Sequence, residues 1–439
     1  MSADGRSIAT VLAAVADEAR PARLPADLWS RGMRRRRRRQ VTAALAALAL
    51  ALPLLLVSRP GPETPADGRP AVPSRIDSPF PFVGTATSSP PGGASVIVTG
   101  PGGFGASGLF GGGYEDRAIV VGTNGSYRTV RHLNGFDAGE SVLLSPDGRR
   151  VAGDWGMESS WQEGLGAAAT TVLDLTTGHL RRYGAGAPVA WFPDGTRLLT
   201  SAGTLRVLHL DTGAVDDLGL RHETANVALA PDGRHAVVQD GSSLTVLDLT
   251  TGQTRTMATL DERHTLAGPG AWDGHGRVAV WECTPACSGV PQVALTLTYI
   301  DADTGAPATG PALRLAGVAG ARLLGWQRDG DAVAVRFRDS GTSFTPPTGR
   351  RADVTAPPGG QPEVVALRPD GPGTVLVRVP AGADRVEVAR GFLDRFGAAP
   401  ASLRERLLDW LASHTGALVL LMAAGAALYA VRRYRRRNA

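Results

Sequence analysis

One short turn recurs along the middle of this chain and limits what it can fold into. Leu144-Ser145-Pro146-Asp147-Gly148 precedes Arg150-Val151-Ala152, and Trp191-Phe192-Pro193-Asp194-Gly195 precedes Arg197-Leu198-Leu199. Leu229-Ala230-Pro231-Asp232-Gly233 precedes His235-Ala236-Val237-Val238, and Trp326-Gln327-Arg328-Asp329-Gly330 precedes Ala332-Val333-Ala334-Val335. A degenerate copy, Trp272-Asp273-Gly274-His275-Gly276, precedes Val278-Ala279-Val280-Trp281. Proline presets one backbone angle, aspartate accepts a local hydrogen bond, and glycine takes the left-handed position. Each copy therefore predicts a tight β-hairpin.

A second turn follows four of the copies: Leu173-Asp174-Leu175-Thr176-Thr177-Gly178, Leu208-His209-Leu210-Asp211-Thr212-Gly213, Leu247-Asp248-Leu249-Thr250-Thr251-Gly252 and Ile300-Asp301-Ala302-Asp303-Thr304-Gly305. The glycines that end these turns lie 35, 39 and 53 residues apart. The shortest unit holds four strands, and four strands at a period of about 40 residues are the mark of propeller blades. At these positions the chain resembles the WD40-like repeats of TolB-type bacterial propellers. Their unit carries Ser-Pro-Asp-Gly between strands one and two and Asp-x-x-Thr-Gly between strands three and four. The resemblance spans residues 94–390 and implies an all-β propeller, while saying little about function.

Full blades start near residues 140, 187, 224, 267 and 321. Ahead of them lie three strand-like stretches, at 94–99, 117–122 and 127–131, and behind them one, at 385–389. Three plus one completes a sixth blade made from both ends of the domain, with seven blades as the competing count. Closure removes the open sheet edges on which chains aggregate. Trp191, Trp272 and Trp326 end innermost strands, where wedging between blades is expected in preference to an aromatic binding site.

The formal net charge of +5 and the pI near 9.7 first suggest nucleic acid. The charge is, however, terminal. Residues 1–40 carry +6 and residues 432–439 carry +5, which leaves −6 on everything between. A nucleic-acid groove on the body is not expected, and no nucleic-acid partner either. The tails have another reading. Residues 41–58 and 415–431 are uncharged, Ala- and Leu-rich runs of membrane-spanning length, each bordered by arginines that charge bias places in the cytoplasm. Two transmembrane helices are expected, with the propeller outside, both termini inside and the plasma membrane as location. Uncleaved anchoring is preferred to a signal peptide because 40 residues is long for a charged leader.

The remaining segments follow. Residues 59–93 are rich in Pro, Gly, Ser and Thr without periodicity and read as a semi-extended linker. In the head, residues 1–40, Ile8, Val11, Leu12, Val15 and Ala19 fall at helical spacing and predict a short amphipathic helix before Pro21. Ser402-Leu403-Arg404-Glu405 fits a capping box opening an interfacial helix over 401–414, with Leu403, Leu407, Trp410 and Leu411 on one face. An extension of the following span is the equal alternative. Residues 432–439 form the basic tail.

Catalytic signals are weak. Gly103-Phe104-Gly105-Ala106-Ser107-Gly108 satisfies a dinucleotide fingerprint, but Leu109-Phe110-Gly111-Gly112-Gly113 cannot begin the helix that such a site needs, so a loop is expected. The sequence contains no G-x-S-x-G, no H-E-x-x-H and no P-loop. The repeated aspartates read as turn residues in preference to calcium ligands, and neither cofactor nor metal is called. Cys283 and Cys287, the only cysteines, are expected to form a small disulfide outside the membrane.

The expected function is a membrane-anchored binding platform for a protein, a peptide or an envelope glycan. In a four-stranded antiparallel blade the one-to-two and three-to-four turns share one face, and here these are tight. Insertions collect in the two-to-three connections on the other face, at 100–115, 156–168, 282–292 and 338–361. These connections bring Phe104, Phe110, Tyr114, Trp161, Phe344, Arg350 and Arg351, side-chain types common at binding hot spots. The tight-turn face should look toward the bilayer. Two rivals stand beside this reading. The layout is similar to high-GC bacterial membrane proteins that act beside extracytoplasmic-function sigma factors, which implies a sensor contacting a cytoplasmic regulator through residues 1–33, although the zinc anti-sigma motif is absent. The other is a propeller hydrolase or lyase.

Overall fold

The computed structural model describes residues 5–18, 71–79, 83–100, 118–130, 138–154, 169–221, 226–287, 292–338, 355, 361–369, 371, 373–380, 382–413 and 425. The chain divides into two units, Met1–Gly61 and Pro62–Ala439. In the first, α1 (Gly5–Glu18) is the helix expected from apolar spacing, and its Val11, Leu12 and Val15 are exposed. Ala19 and both apolar runs, 41–58 and all but one residue of 415–431, lie outside the described residues, and among the described residues no helix is long and apolar enough to cross a membrane.

In the second unit six antiparallel sheets make a six-bladed β-propeller, not a seven-bladed one. Blade 1 runs from its inner to its outer strand as Val142–Leu144, Arg150–Asp154, Thr170–Asp174 and Leu180–Tyr183. Blade 2 is Ala187–Trp191, Arg197–Ser201, Thr204–His209 and Val215–Arg221. Blade 3 is Asn226–Leu229, His235–Asp240, Ser243–Asp248 and Thr254–Thr259. Blade 4 is irregular: His264–Leu266, Arg277–Thr284 and Val293–Asp301, with the outer position shared by Pro307–Ala308 and Arg314–Val318. Blade 5 is Gly320–Trp326, Ala332–Arg338, Gln361–Leu367 and Thr374–Arg378. Blade 6 joins the two ends of the domain. Its inner strand is Arg385–Val388, followed outward by Ala94–Thr99, Ala118–Gly122 and Tyr127–Val130.

The turn motifs have the geometry that their residues dictate. Gly148, Gly195 and Gly233 have φ of +71°, +67° and +65°, a region that favours glycine. The aspartates bond their own turns: Asp194 Oδ1 accepts from the Thr196 amide at 2.8 Å, and Asp232 Oδ1 from the Arg234 amide at 2.7 Å. At the second turn, Asp174 Oδ1 accepts from the Thr176 and Thr177 amides at 2.8 and 3.0 Å. These carboxylates serve the turns, as the sequence predicts.

Tryptophans stitch neighbouring blades. The indole of Trp191 donates to the Leu143 carbonyl of blade 1 at 3.1 Å. Trp272 donates to Ala228 of blade 3 at 3.0 Å, and Trp326 to Gly270 of blade 4 at 3.0 Å. Each ring thus fills the blade interface while its one donor finds a partner, which is the wedge role expected of these residues.

Part of the stretch read as a semi-extended linker differs from that reading. From Ala71 onward it packs on the ring, burying Ala71, Val72, Ile76, Val83 and Ala86. Val72–Pro73 pairs in parallel with Phe396–Ala398, Ile76 N–H donates to Arg378 of blade 5 at 2.8 Å, and Ala86 N–H donates to Thr129 of blade 6 at 2.9 Å. The arm's backbone bonds to 395–398, to the outer strands of blades 5 and 6 and, at Gly92, to Leu175 of blade 1. Such partners lie far away in sequence and leave no local periodicity to read. The ring domain likewise extends past residue 390. The turn Arg390–Phe392 and the strand Phe396–Ala398 belong to it, and then α2 (Leu403–Ser413) follows. The capping box is formed: Ser402 N–H donates to Glu405 Oε2 at 2.7 Å, and Glu405 N–H to Ser402 Oγ at 3.2 Å. Arg406 reaches back to the arm through the Ser78 carbonyl at 3.2 Å, leaving Leu403 and Leu407 exposed.

Candidate functional site

The seam that closes the ring sets the orientation of everything else. Ala94 N–H donates to the Gly148 carbonyl at 2.7 Å, Ala389 N–H to Ser95 at 3.0 Å and Gly391 N–H to Pro146 at 2.9 Å. Both ends of the closing blade therefore sit beside the Pro-Asp-Gly turn of blade 1. At the other end of the same blade Arg385 pairs with Thr99, next to where the long connections leave the sheets. The long connections thus leave the sheets at the end opposite to Ala94 and Ala389.

The seven residues expected on that face, Phe104, Phe110, Tyr114, Trp161, Phe344, Arg350 and Arg351, all lie outside the described residues. So does the glycine-rich segment 103–108. Of the connection at 282–292, the first part is described. Cys283 and Cys287 are joined by a disulfide, with Cα atoms 5.1 Å apart. Cys283 N–H donates to Arg263 O at 2.7 Å and Cys287 N–H to Glu262 O at 3.2 Å, so this loop is fastened to the entrance of its own blade.

Within the ring, charged side chains gather where blade 6 meets blades 5 and 1. Arg322, on the inner strand of blade 5, is 4% exposed and donates through Nη2 to Val386 O at 2.9 Å and Ala138 O at 3.1 Å. A Cβ at Gly139, where φ is +84°, would collide with its guanidinium, so glycine is needed for Arg322 to pass. Arg385 pairs with Glu140 at 3.3 Å and lies over the Phe337 ring, 5.5 Å from its centroid. Glu387 accepts the Leu144 N–H of blade 1 at 2.7 Å. Burial pushes the Glu387 carboxyl up to about 7, against the downward pull of Arg322, the Leu144 amide and Arg390. Burial likewise lowers Arg390, partly offset by Glu387.

A short segment bridges blades at the tight-turn face. Arg390 donates to Pro269 O of blade 4 at 2.7 Å, Gln327 of blade 5 donates to Leu393 O at 2.6 Å, and Arg328 N–H donates to Asp394 at 2.7 Å. Phe392 and Leu393 are buried against this seam. The segment 390–394 thus runs beneath blades 4 and 5 and touches blade 1. Arg322, Arg385, Glu387 and Arg390 were not singled out by sequence reasoning. The charged residues alternating with valine in Arg385-Val386-Glu387-Val388 were the available signal, since a strand with charges on a buried side implies partners from another blade.

The sheets define a six-bladed β-propeller. Solved structures similar to the chain include TolB from Acinetobacter baumannii, at 17% identity and TM-score 0.29, covering 44% of this chain and 49% of that one. The chain thus spans about half the length of that protein. The β-propeller domain of the Trilobed protease from Pyrococcus furiosus is similar at 11% identity and TM-score 0.36, covering 65% of this chain and 92% of that one. An oligogalacturonate lyase from Vibrio parahaemolyticus is similar at 11% identity and TM-score 0.30, covering 65% and 86%. At these values the likenesses carry no argument about function, and the fold stands on its own six sheets. No protein-family model and no curated protein matches the chain.

Proposed function

We propose that this protein is a membrane-anchored, extracytoplasmic propeller that serves as a binding platform for a protein, peptide or envelope ligand. The observation that supports it best is the seam. Ala94 and Ala389 both lie at the Pro-Asp-Gly face, so the ring strands are entered and left on one side, which suits attachment through the apolar runs 41–58 and 415–431. Tight turns lie on that side, and the turn at 390–394 is tied there to blades 4 and 5. The long connections join strand ends on the opposite side, and connections carried by a rigid ring are where binding usually resides. The exposed apolar positions Leu403 and Leu407 of α2, ten or so residues before the second run, fit a helix lying at the bilayer surface. The proposal is of binding and not catalysis.

The test is photo-crosslinking on intact cells, with the crosslinker placed in the connections 100–115 and 338–361. A discrete adduct is expected there and none from probes in the Thr176–Gly178 or Thr250–Gly252 turns. Equal capture from both faces would overturn the assignment. In protoplasts, protease added outside should cut the connection at 338–361 and leave residues 1–40 intact.

A sensor is the second reading, supported by α1, whose Val11, Leu12 and Val15 have no apolar cover among the described residues of their unit. A pull-down with residues 1–33 that retains a cytoplasmic regulator would favour it.

A further inference from the structure

Blade 5 carries a groove of about 270 Å³ lined by Arg336, Arg338, Gln361, Glu363, Arg378 and two valines. The register puts these side chains on one side of one sheet: Arg336 is opposite Glu363, Arg338 opposite Gln361, and Glu363 opposite Arg378. Arg338 ends one strand and Gln361 begins the next, so the groove lies at the base of the longest two-to-three connection, on the long-loop face.

Glu363 is the only carboxylate in the lining, and its side chain is 6% exposed. Both of its oxygens are taken. Arg336 donates to Oε2 through Nε at 3.0 Å and Nη2 at 2.7 Å, and Arg338 pairs with Oε1 at 2.9 Å. Arg378 forms no side-chain hydrogen bond or ion pair among the described residues. Three guanidinium groups face one carboxylate, which leaves a surplus of two positive charges in a concave site on an otherwise acidic body. A buried ion pair adds little stability over apolar packing, so stability alone does not account for three arginines here. What the arrangement supplies is orientation. Glu363 holds two planar forks in place, and each retains donors beyond those it spends on the carboxylate.

We propose that this groove binds an oxyanion, the carboxylate or phosphate group of the ligand that the long-loop face captures, with Arg338 and Arg378 as its direct contacts and Glu363 as a positioning residue. This rests on the platform reading and gives it a ligand chemistry. Guanidinium pairs suit such groups because two parallel N–H donors meet two oxygens.

The test is calorimetric titration of the full chain in detergent with inorganic phosphate and, separately, with succinate. Saturable binding of one of them at one site per chain is expected, and which one binds distinguishes a phosphate from a carboxylate source. Arg378→Gln and Arg338→Gln should each weaken it by about tenfold or more, the loss of one charge-assisted contact. Arg368→Gln, which breaks the exposed pair with Asp331 on the same blade, should leave it unchanged. No saturable binding of either anion, or undiminished binding in Arg378→Gln, would overturn the proposal. If anion binding fails while the connection at 338–361 still crosslinks a ligand on cells, the platform stands and the oxyanion site falls.

Discussion

The amide of Ala94 donates to the carbonyl of Gly148 across the closing seam, at 2.7 Å. One residue opens the first ring strand after the N-terminal arm, and the other completes the first Pro-Asp-Gly turn. Their contact joins blade 6 to blade 1 and closes the six sheets into a ring.

That seam is sensitive at Gly148. A Cβ there would collide with the Ala94 carbonyl and lie 2.8 Å from the Phe392 ring, at a φ of +71°. Gly148→Ala is expected to destabilise the fold by roughly 2–3 kcal/mol, from strain added to lost contact. Gly203→Ala, with the same sign of φ but open space around it, should cost only about 1 kcal/mol. Thermal unfolding of the two variants checks the difference, and equal shifts would count against the seam.

Trp191 should behave as a blade-to-blade strut. It is 5% exposed, and its indole is bonded to Leu143 O. Trp191→Phe keeps most of the apolar bulk but leaves that carbonyl without its donor, a loss of about 1–3 kcal/mol. Denaturant unfolding should show it as a shifted midpoint. Ligand capture by the long loops should be unaffected at temperatures where the ring is folded.

Glu387 makes stability depend on pH. Its folded pKa, about 7, lies above the ordinary carboxyl value near 4.5, so the native state holds its proton more tightly than the unfolded chain. This contribution is fully present below about pH 4.5 and is lost as pH rises toward 7. With allowance for partial solvent access the effect is on the order of 2 kcal/mol. The turn carboxylates act the other way. Asp301, held below its ordinary range by the Thr304 hydroxyl and amide, contributes above its unfolded pKa and stops contributing as pH falls through its folded value. Glu387→Gln should therefore remove the decline between about pH 5 and 7 and leave the acid limb in place. A Glu387→Gln profile parallel to that of the wild type would refute the assignment.

The Cys283–Cys287 bond closes a five-residue loop. Thiol labelling of the unreduced protein, native or unfolded, should find no reactive cysteine. The double substitution to serine should lower stability by about 2 kcal/mol, the chain-entropy value for so short a loop.

How much of this was legible beforehand follows from the range of each interaction. The Pro-Asp-Gly and Thr-Gly turns are local: Asp232 bonds an amide two residues on, and Gly233 adopts its φ whatever the rest of the chain does. Repeating such turns determined the blades, and the strand-like stretches at the two ends suggested the three-plus-one closure, while the count of six over seven was decided by the sheets themselves. The capping box of α2 and the apolar stripe of α1 were readable for the same reason, since their partners lie three or four residues away. What only the tertiary structure decided depends on partners brought together by closure. Glu387 meets Leu144 from 243 residues away, Arg322 meets Ala138 from 184, and the described arm, 71–79 and 83–93, finds hydrogen bonds on residues 395–398 and on blades 1, 5 and 6. Arg336 and Glu363 are 27 residues apart, and their meeting required the register of two strands across a long connection. Turn chemistry is fixed by φ and by nearby amides, and so it can be read along the chain. Charge pairing and burial depend on which blades become neighbours, and the ring has to close before those neighbours exist.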